Sequence, residues 1–406
     1  MSAQETTTPY PSVPGAECPW PRLAELREEA PVYELPDRPG VFVVSRYADA
    51  KSIFARPELF SNDARTQLNG ESDYKIPYHV TASDPPEHTR LREIDIAPLR
   101  PKRLRAYEPM IHAQADRLID GFVDRGEVEF VDEYASWLPV RVMSRVLGVP
   151  PEDEDLVRTW LPFEQSGLSW LSTDVRDSMR DLIAGSTEYM GDLVRRRHEH
   201  PEDDGTSILI EEQVKADGEF DFEEVVAHVA GILRGGLFTT AHGITTTLQH
   251  GLENPDQLEK VRAEPKLIGR MIEEALRLDP PAMWQPRRVL AEAEVGGMSI
   301  PEGSLLLVIS GSGNRDEERF ECPERFDVER RNVKDHLSFG YGIHFCVGAP
   351  IARMEIRVSM ERILARMRDI KITPDNDLRH IPSPQFRGLE RLHLTFDKVP
   401  EAEVPE

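Results

Sequence analysis

Basic residues are the minority in this chain of 406 residues: 49 Lys and Arg stand against 73 Asp and Glu, a formal net charge of −24. A chain so acidic repels phosphate backbones and anionic lipid, which makes nucleic acid and a membrane surface poor partners. Long apolar stretches are also missing. Without an apolar run of roughly 18 residues or a basic-then-apolar start, neither a membrane span nor a secretory leader is expected, and the expected location is the cytoplasm. Cysteine is scarce. Cys18, Cys322 and Cys346 are odd in number and unrelated in spacing, which excludes a disulfide framework and a CxxC zinc site and suits a reducing compartment. Internal repeats, low-complexity tracts and a Gly-x-Gly-x-x-Gly fingerprint are absent too, so neither a solenoid nor a chain-borne flavin or NAD domain is expected.

What is present reads as one catalytic unit with scattered proline and charge. Residues 1–30 are expected to be loosely ordered, 31–398 to form a single domain, and 399–406 to be an acidic tail. Pro31–Pro36 and Val41–Ser45 alternate around Asp37-Arg38-Pro39-Gly40, the pattern of a hairpin. Helix-period apolar residues then run through Leu118–Leu147, Asp174–Arg197 and Asp221–Glu253. Between these signals, polar Thr66–Val80 reads as a long loop of the kind that tends to be functional. Val295–Pro301 with Leu305–Ser310 reads as a second hairpin, and Arg387-Gly388-Leu389 with Leu392–Phe396 as a last turn and strand.

The most informative stretch is Phe339-Gly340-Tyr341-Gly342-Ile343-His344-Phe345-Cys346-Val347-Gly348, followed by an apolar, helix-forming run. Two glycines allow a tight turn at positive φ, and Gly348 allows close packing where the helix starts. Cys346 then sits at a helix N-terminus, where the dipole and free N–H groups favour a thiolate able to ligate iron. These ten residues resemble the haem-binding loop of the cytochromes P450. Phe339, Gly340, Gly342, His344, Cys346 and Gly348 match its fixed positions, an agreement with a chance on the order of 10⁻⁸ per start point at about 1 in 20 per residue.

The resemblance, which covers Pro31 to about Phe396, implies a mainly α fold: the P450 helical prism with a small β-rich lobe, holding one haem b ligated by Cys346. Asp84 would cap the helix that carries His88 and Arg92 on one face. His88, Arg92, Arg288 and His344 would hold the haem propionates. Glu274, Arg277 and Arg325 would form a buried structural network. Gly235, Gly236, Thr239 and Thr240 match the oxygen-side helix of the family, where each internal glycine costs about 1 kcal/mol and makes room for dioxygen. A second register would slide to Ala241–Thr245, but the first is preferred because it leaves roughly four helical turns before Pro255-Asp256-Gln257, as the family does. In the first register Phe238 stands where the family has an acid, and in the second Ile244 does. Proton delivery must then take another route, for which His242 is a candidate.

Leu237, Phe238, Met283, Trp284 and Phe386 are expected in the substrate pocket. The implied activity is monooxygenation with O₂ of a small hydrophobic substrate. Electrons would come from NAD(P)H through a separate ferredoxin and/or flavin reductase. Weaker similarity to bacterial P450s that O-demethylate small methoxyaromatics favours that substrate class. A terpenoid, steroid or antibiotic precursor, a peroxygenase driven by H₂O₂, and a non-enzymatic haem sensor are the alternatives. The basic cluster Arg100, Lys102, Arg103 and Arg105 reads equally as a dock for an acidic redox partner or as an ordinary solvated charge run.

Overall fold

The helical periodicity of Asp221–Glu253 becomes one unbroken helix, Phe222–Glu253, in the computed structural model, which describes residues 18–63, 80–161, 173–383, 385–400 and 402. Asp221 caps it, accepting a hydrogen bond from the Glu224 N–H at 3.0 Å. Glu223 and Glu224 in its first turn complement the dipole. From Thr240 to Gln249 every residue is buried. A helix enclosed on all sides offers its hydroxyls no water, and Thr245 and Thr247 donate instead to the carbonyls of Ala241 and Gly243 at 3.0 and 2.7 Å.

Most of the longer helices gather around this one. In chain order the helices are α1 (Trp20–Glu29), α2 (Tyr47–Phe54), α3 (Glu87–Ile96), α4 (Pro101–Asp120), α5 (Trp137–Leu147), α6 (Glu154–Arg158), α7 (Thr173–Glu199), α8 (Gly205–Asp217), α9 (Phe222–Glu253 itself), α10 (Pro255–Ala263), α11 (Ile268–Leu278), α12 (Ser310–Gly313) and α13 (Ala349–Arg366). Helices α5, α7, α11 and α13 pack directly on α9, whereas α1, α2 and α12 belong to the β lobe. Gly243 brings α9 and α13 together, because a Cβ there would lie 2.8 Å from Ile356 Cδ1.

A smaller lobe is built from β1 (Val32–Glu34), β2 (Val41–Val44), β3 (Phe60–Ser61), β5 (Gln285–Val289) and β8 (Leu305–Val308) in the order β1-β2-β8-β5-β3. The first hairpin forms as expected, with Val32 opposite Val44. Strand β8 does not pair with the strand before it. It runs parallel to β2 and antiparallel to β5, while β6 (Ala293–Val295) and β7 (Met298–Ile300) close a hairpin of their own. All four β8 residues are buried, so its apolar run is a central strand rather than a hairpin arm. Strands β4 (Glu127–Glu129), β10 (His393–Lys398) and β9 (Met367–Ile372) form a third, three-stranded sheet.

Three further expectations need correction. The stretch 20–29 is not loose: α1 buries Leu23 and Leu26 in one cluster with Met283, Trp284 and Leu307. The Leu118–Leu147 pattern is not one helix, because β4 and a π-helical turn at Val131–Ala135 divide it. Asp84 does not cap α3 with its side chain; its carboxylate accepts from Ser61 Oγ and the Asn62 N–H, while its carbonyl accepts from the His88 N–H at 2.9 Å. Of the expected 66–80 loop, only Val80 lies within the described residues.

A buried ionic clamp ties α3 to α9. His228 on α9 donates to Asp95 on α3 at 2.7 Å and lies 3.5 Å from Glu224, which Arg90 also binds at 2.7 Å. Burial alone would lower the His228 value, but its hydrogen bonds to Asp95 and Glu224 prevail and push it up to about 9. Against burial, His228 and Arg90 hold Glu224 down to about 2. His228 therefore stabilises the fold fully below its unfolded value near 6.5, and that contribution drains away as pH climbs through about 9. Replacing one partner of such a buried set costs about 3 kcal/mol. The expected outcome for His228→Gln is a urea midpoint well below wild type at pH 6.5 and a gap that closes toward pH 10; a gap that stays constant over that range would contradict the assignment.

Candidate active site

The loop that carries Cys346 folds as its glycines require. Gly340 and Gly342 adopt φ of 72° and 73°, and a Cβ on Gly342 would run into the Phe54 carbonyl. The Cys346 N–H donates to the Phe339 carbonyl at 2.9 Å, closing the loop. Gly348 is the N-cap of α13, and the Gly348 and Ala349 N–H groups donate to the Cys346 sulfur. Burial in the protein mass pushes the free thiol up, while those two N–H groups, Arg92 and Arg353 pull it down. The side chain is nonetheless open to solvent, as is neighbouring Phe345. The sulfur thus sits at the floor of an open depression, with preset donors aimed at it.

Two adjacent carboxylates on α11 hold this loop in place. Glu274 is bound by Arg277 at 2.8 and 2.9 Å and by the Arg330 Nε at 2.9 Å, all three being buried. The network is thus present, but its third side chain is Arg330. Arg325 contributes only its backbone carbonyl, which accepts from Arg277 and Arg330. Glu273, which sequence reasoning missed, accepts from Arg353 at 2.6 and 2.8 Å and lies 2.9 Å from His336. Arg353 in turn lies 4.3 Å from the Phe339 ring centre, so α11, α13 and the cysteine loop are locked together.

Beside the sulfur lies a cluster of cations and imidazoles. His88 and His344 face each other with ring centres 4.1 Å apart. Arg92 donates to the Phe345 carbonyl at 2.6 Å. The Asn62 amide NH₂ lies 3.2 Å from His344 Nδ1, so that nitrogen accepts and the ring proton sits on Nε2, a buried donor with no protein acceptor. His88 Nε2 is likewise buried without a partner. Burial, then the charges of Arg287, His88 and Arg92, push His344 down to about 2.

Arg287 is the residue that the sequence reading missed here. It is buried, with its value lowered to about 10 by burial, and its charge bears on His344. Arg288, which was expected in this role, is half-exposed and pairs with Asp63 at 3.4 Å. On a strand, neighbouring residues point to opposite faces, so a shift of one position exchanges the inward arginine for the outward one.

On α9, Gly235 and Thr239 are not buried. Gly235 is exposed with no atom within 4 Å of its Cβ direction, and Thr239 donates to the Gly235 carbonyl at 2.8 Å. Ile244 and Thr245 are buried in the core, which supports the Gly235–Thr239 register over the later one. Gly236 has a different reason to be glycine: a Cβ there would lie 2.9 Å from Met143 Sδ, so it serves helix packing. Thr240 and Leu237 are buried as well. Phe238 is buried with its ring 4.2 Å from His242 and 5.3 Å, edge to face, from Phe386. Met283 and Trp284 are not pocket residues; both pack against α1 in the β lobe.

The family model described as Cytochrome P450 matches residues 155–389, more than half of the chain. Cytochrome P450 107B1 of Saccharopolyspora erythraea is 34% identical over 387 residues, covering 91% of this chain and 93% of that protein. The chain belongs to the cytochrome P450 family. This P450 is also 34% identical to the vitamin D(3) 25-hydroxylase of Pseudonocardia autotrophica, over 93% of this chain and 94% of that one. A Bacillus megaterium P450 solved in complex with testosterone superposes with a TM-score of 0.84 at 27% identity, over 93% of this chain and 97% of the other. The mainly helical fold with a small sheet lobe, the monooxygenase activity and the Cys-ligated haem are those of the family.

The cationic cluster fits the haem's carboxylates. Two buried imidazole nitrogens without partners, and buried Arg287, whose guanidinium donates at 2.7 Å to its neighbour's carbonyl, await anionic acceptors. The basic cluster on α4 is partly spent: Arg100 pairs with Glu212 at 3.1 Å and Arg103 with Asp203 at 2.5 Å. Among the described residues no helix is long and apolar enough to cross a membrane. Charge-assisted hydrogen bonds to a carboxylate contribute roughly 1.5–3 kcal/mol each. Arg287→Ala should therefore loosen haem about tenfold or more, measured by haem transfer to an acceptor protein, with Arg288→Ala close to wild type. Equal loss in both would reverse the strand parity argued here. Cys346→Ala should abolish the thiolate Soret band of the reduced CO complex, and Cys322→Ala should leave it intact.

Proposed function

We propose that this P450 inserts one oxygen atom of O₂ into an unactivated C–H bond of a hydrophobic substrate of terpenoid or steroid class, with electrons supplied by a separate ferredoxin and reductase. The observation that carries the reaction is the Cys346 sulfur under the Gly348 and Ala349 N–H groups; in this reading Thr239 and Gly235 of α9 would stand on the oxygen side. Haem, when bound, supplies the activation of O₂. Cys346 would ligate it, and His88, Arg92, Arg287 and His344 would hold its propionates. Thr239 would order water through its hydroxyl, and the exposed Gly235 leaves the space above. Phe238 and Phe386 would wall the substrate site, excluding water and orienting an apolar ligand.

Small methoxyaromatics lose support as the substrate class once Met283 and Trp284 leave the pocket. The broader class draws support from one relative whose name specifies vitamin D(3) and from another protein solved in complex with testosterone. Bacterial members of the family generally use ferredoxin and reductase partners, and the acidic chain with three unpaired cysteines suits a cytoplasmic enzyme.

A plate of steroids, terpenoids and methoxyaromatics, read by the spin-state shift of the Soret band, tests the substrate class. Strong shifts confined to methoxyaromatics would reverse the choice. Turnover with surrogate redox partners should proceed with O₂ and NAD(P)H and exceed H₂O₂-driven turnover; the opposite order would make the enzyme a peroxygenase. In Thr239→Ala the reducing equivalents should drain to H₂O₂, whereas Thr245→Ala should keep wild-type coupling because its hydroxyl is buried on the Ala241 carbonyl.

A further inference from the structure

Behind the Phe238–Phe386 wall lies a buried polar cluster that neither haem binding nor the fold accounts for. His242 is buried with its Nδ1 unpartnered, and His250 Nε2 and His380 Nδ1 are orphaned as well. Between them stands Asp279 at the end of α11, also buried, which accepts from Arg387 Nε at 2.5 Å and lies 3.9 Å from His250 Nε2. Three buried orphan nitrogens around one carboxylate mark sites where ordered water must bridge. Gly388 is what lets the imidazole sit here, because a Cβ on it would run into His242 Nδ1. Outward, His380 is only half-buried, so the cluster has a solvent end. Inward, His242 touches Phe238 and sits one helical turn from Thr239, on an adjoining face of α9.

We propose that His242, supplied from solvent through His380 and Asp279, delivers protons to the Thr239 side of the active site, replacing the carboxylate that position 238 lacks. This rests on the monooxygenase reading above. Each turnover joins substrate C–H, O₂, two electrons and two protons into C–OH and water. The redox partner provides the electrons. His242 takes a proton at Nδ1 from the His380 side and releases its Nε2 proton through ordered water to Thr239 Oγ1. This leaves the Nδ1–H tautomer, so the ring must return its proton to Nε2 through the bridging water before it carries the second proton of the turnover. The charged groups that bear on His242 are His380 and Asp279; around Asp279 in turn stand Arg387, His250 and Arg315, and Glu253 bears on His250. Burial, then His380, holds His242 down to about 3, so the resting ring is neutral with one nitrogen free to accept.

The test uses full-length holoenzyme, with His242→Phe to keep the ring volume and His380→Gln to cut the solvent end. An intact thiolate CO spectrum in both certifies the fold. A positioned acid–base group contributes roughly 10²–10⁴-fold, so O₂-driven product per NAD(P)H should fall at least about tenfold, with a larger solvent isotope effect. H₂O₂-driven turnover should hold within about twofold, since peroxide brings its own protons. In ¹⁵N-histidine spectra the His242 N–H should exchange rapidly with water in wild type and slowly in His380→Gln. Coupling within twofold of wild type in both variants, loss of the H₂O₂-driven rate to the same degree, or slow His242 exchange in wild type would each overturn the relay. Absence of O₂-driven turnover in wild type would instead overturn the monooxygenase reading.

Discussion

Everything at the active site depends on two neighbouring carboxylates, Glu273 and Glu274, pointing from one helix turn in two directions. Glu274 gathers Arg277 and Arg330 behind the helix, and Glu273 gathers Arg353 and His336 in front. Asn314 and Ser338 complete the join: Asn314 accepts from the Leu337 N–H, and Ser338 donates to the Leu276 carbonyl at 2.7 Å. Apart from Arg353, these charged groups are buried, so each depends on its partners, and their geometry is specified rather than merely stabilised. The loop that presents Cys346 has little apolar packing of its own, and its position is inherited from this ionic frame.

The frame also fixes the electrostatics. Arg353, held by Glu273, contributes to lowering the thiol, and Arg92, held by the Phe345 carbonyl, does the same from the opposite side. On the far side of the depression the balance changes: α9 offers the Thr239 hydroxyl and aromatic surface but no carboxylate. Positive charge on one side and neutral donors on the other suit a flat cofactor whose acids point one way and whose reactive face points the other.

Legibility in the sequence followed the range of the interaction. The Cys346 loop was readable because its demands are local: positive φ at Gly340 and Gly342, and a helix that starts at Gly348. The period of α9 and the first hairpin were readable for the same reason. Arg287 was mistaken for Arg288 because strand parity turns on a single residue, and no local signal fixed the register of β5. Trp284 and Met283 carry no mark of direction; only the docking of α1, itself taken for loose chain, decides that they face the β lobe. Arg330 displaced Arg325 because a loop, not a helical spacing, brings it to Glu274. The cluster around Asp279 joins residues from α9, α11 and the C-terminal turn, and no spacing in the sequence announces it.

The parallel pairing of β2 with β8 has a consequence for how the chain comes to be folded. Val41 pairs with Leu305 and Val44 with Val308, so the β1–β2 hairpin has an open edge until β8, far downstream, has emerged. Long-range pairing of this kind is slow to close and leaves an apolar strand edge exposed in the meantime. The cysteine loop follows β8 by only a few dozen residues. The ribosome therefore releases the lobe's closing strand and the haem-binding loop almost together, which ties cofactor capture to the closing of that sheet.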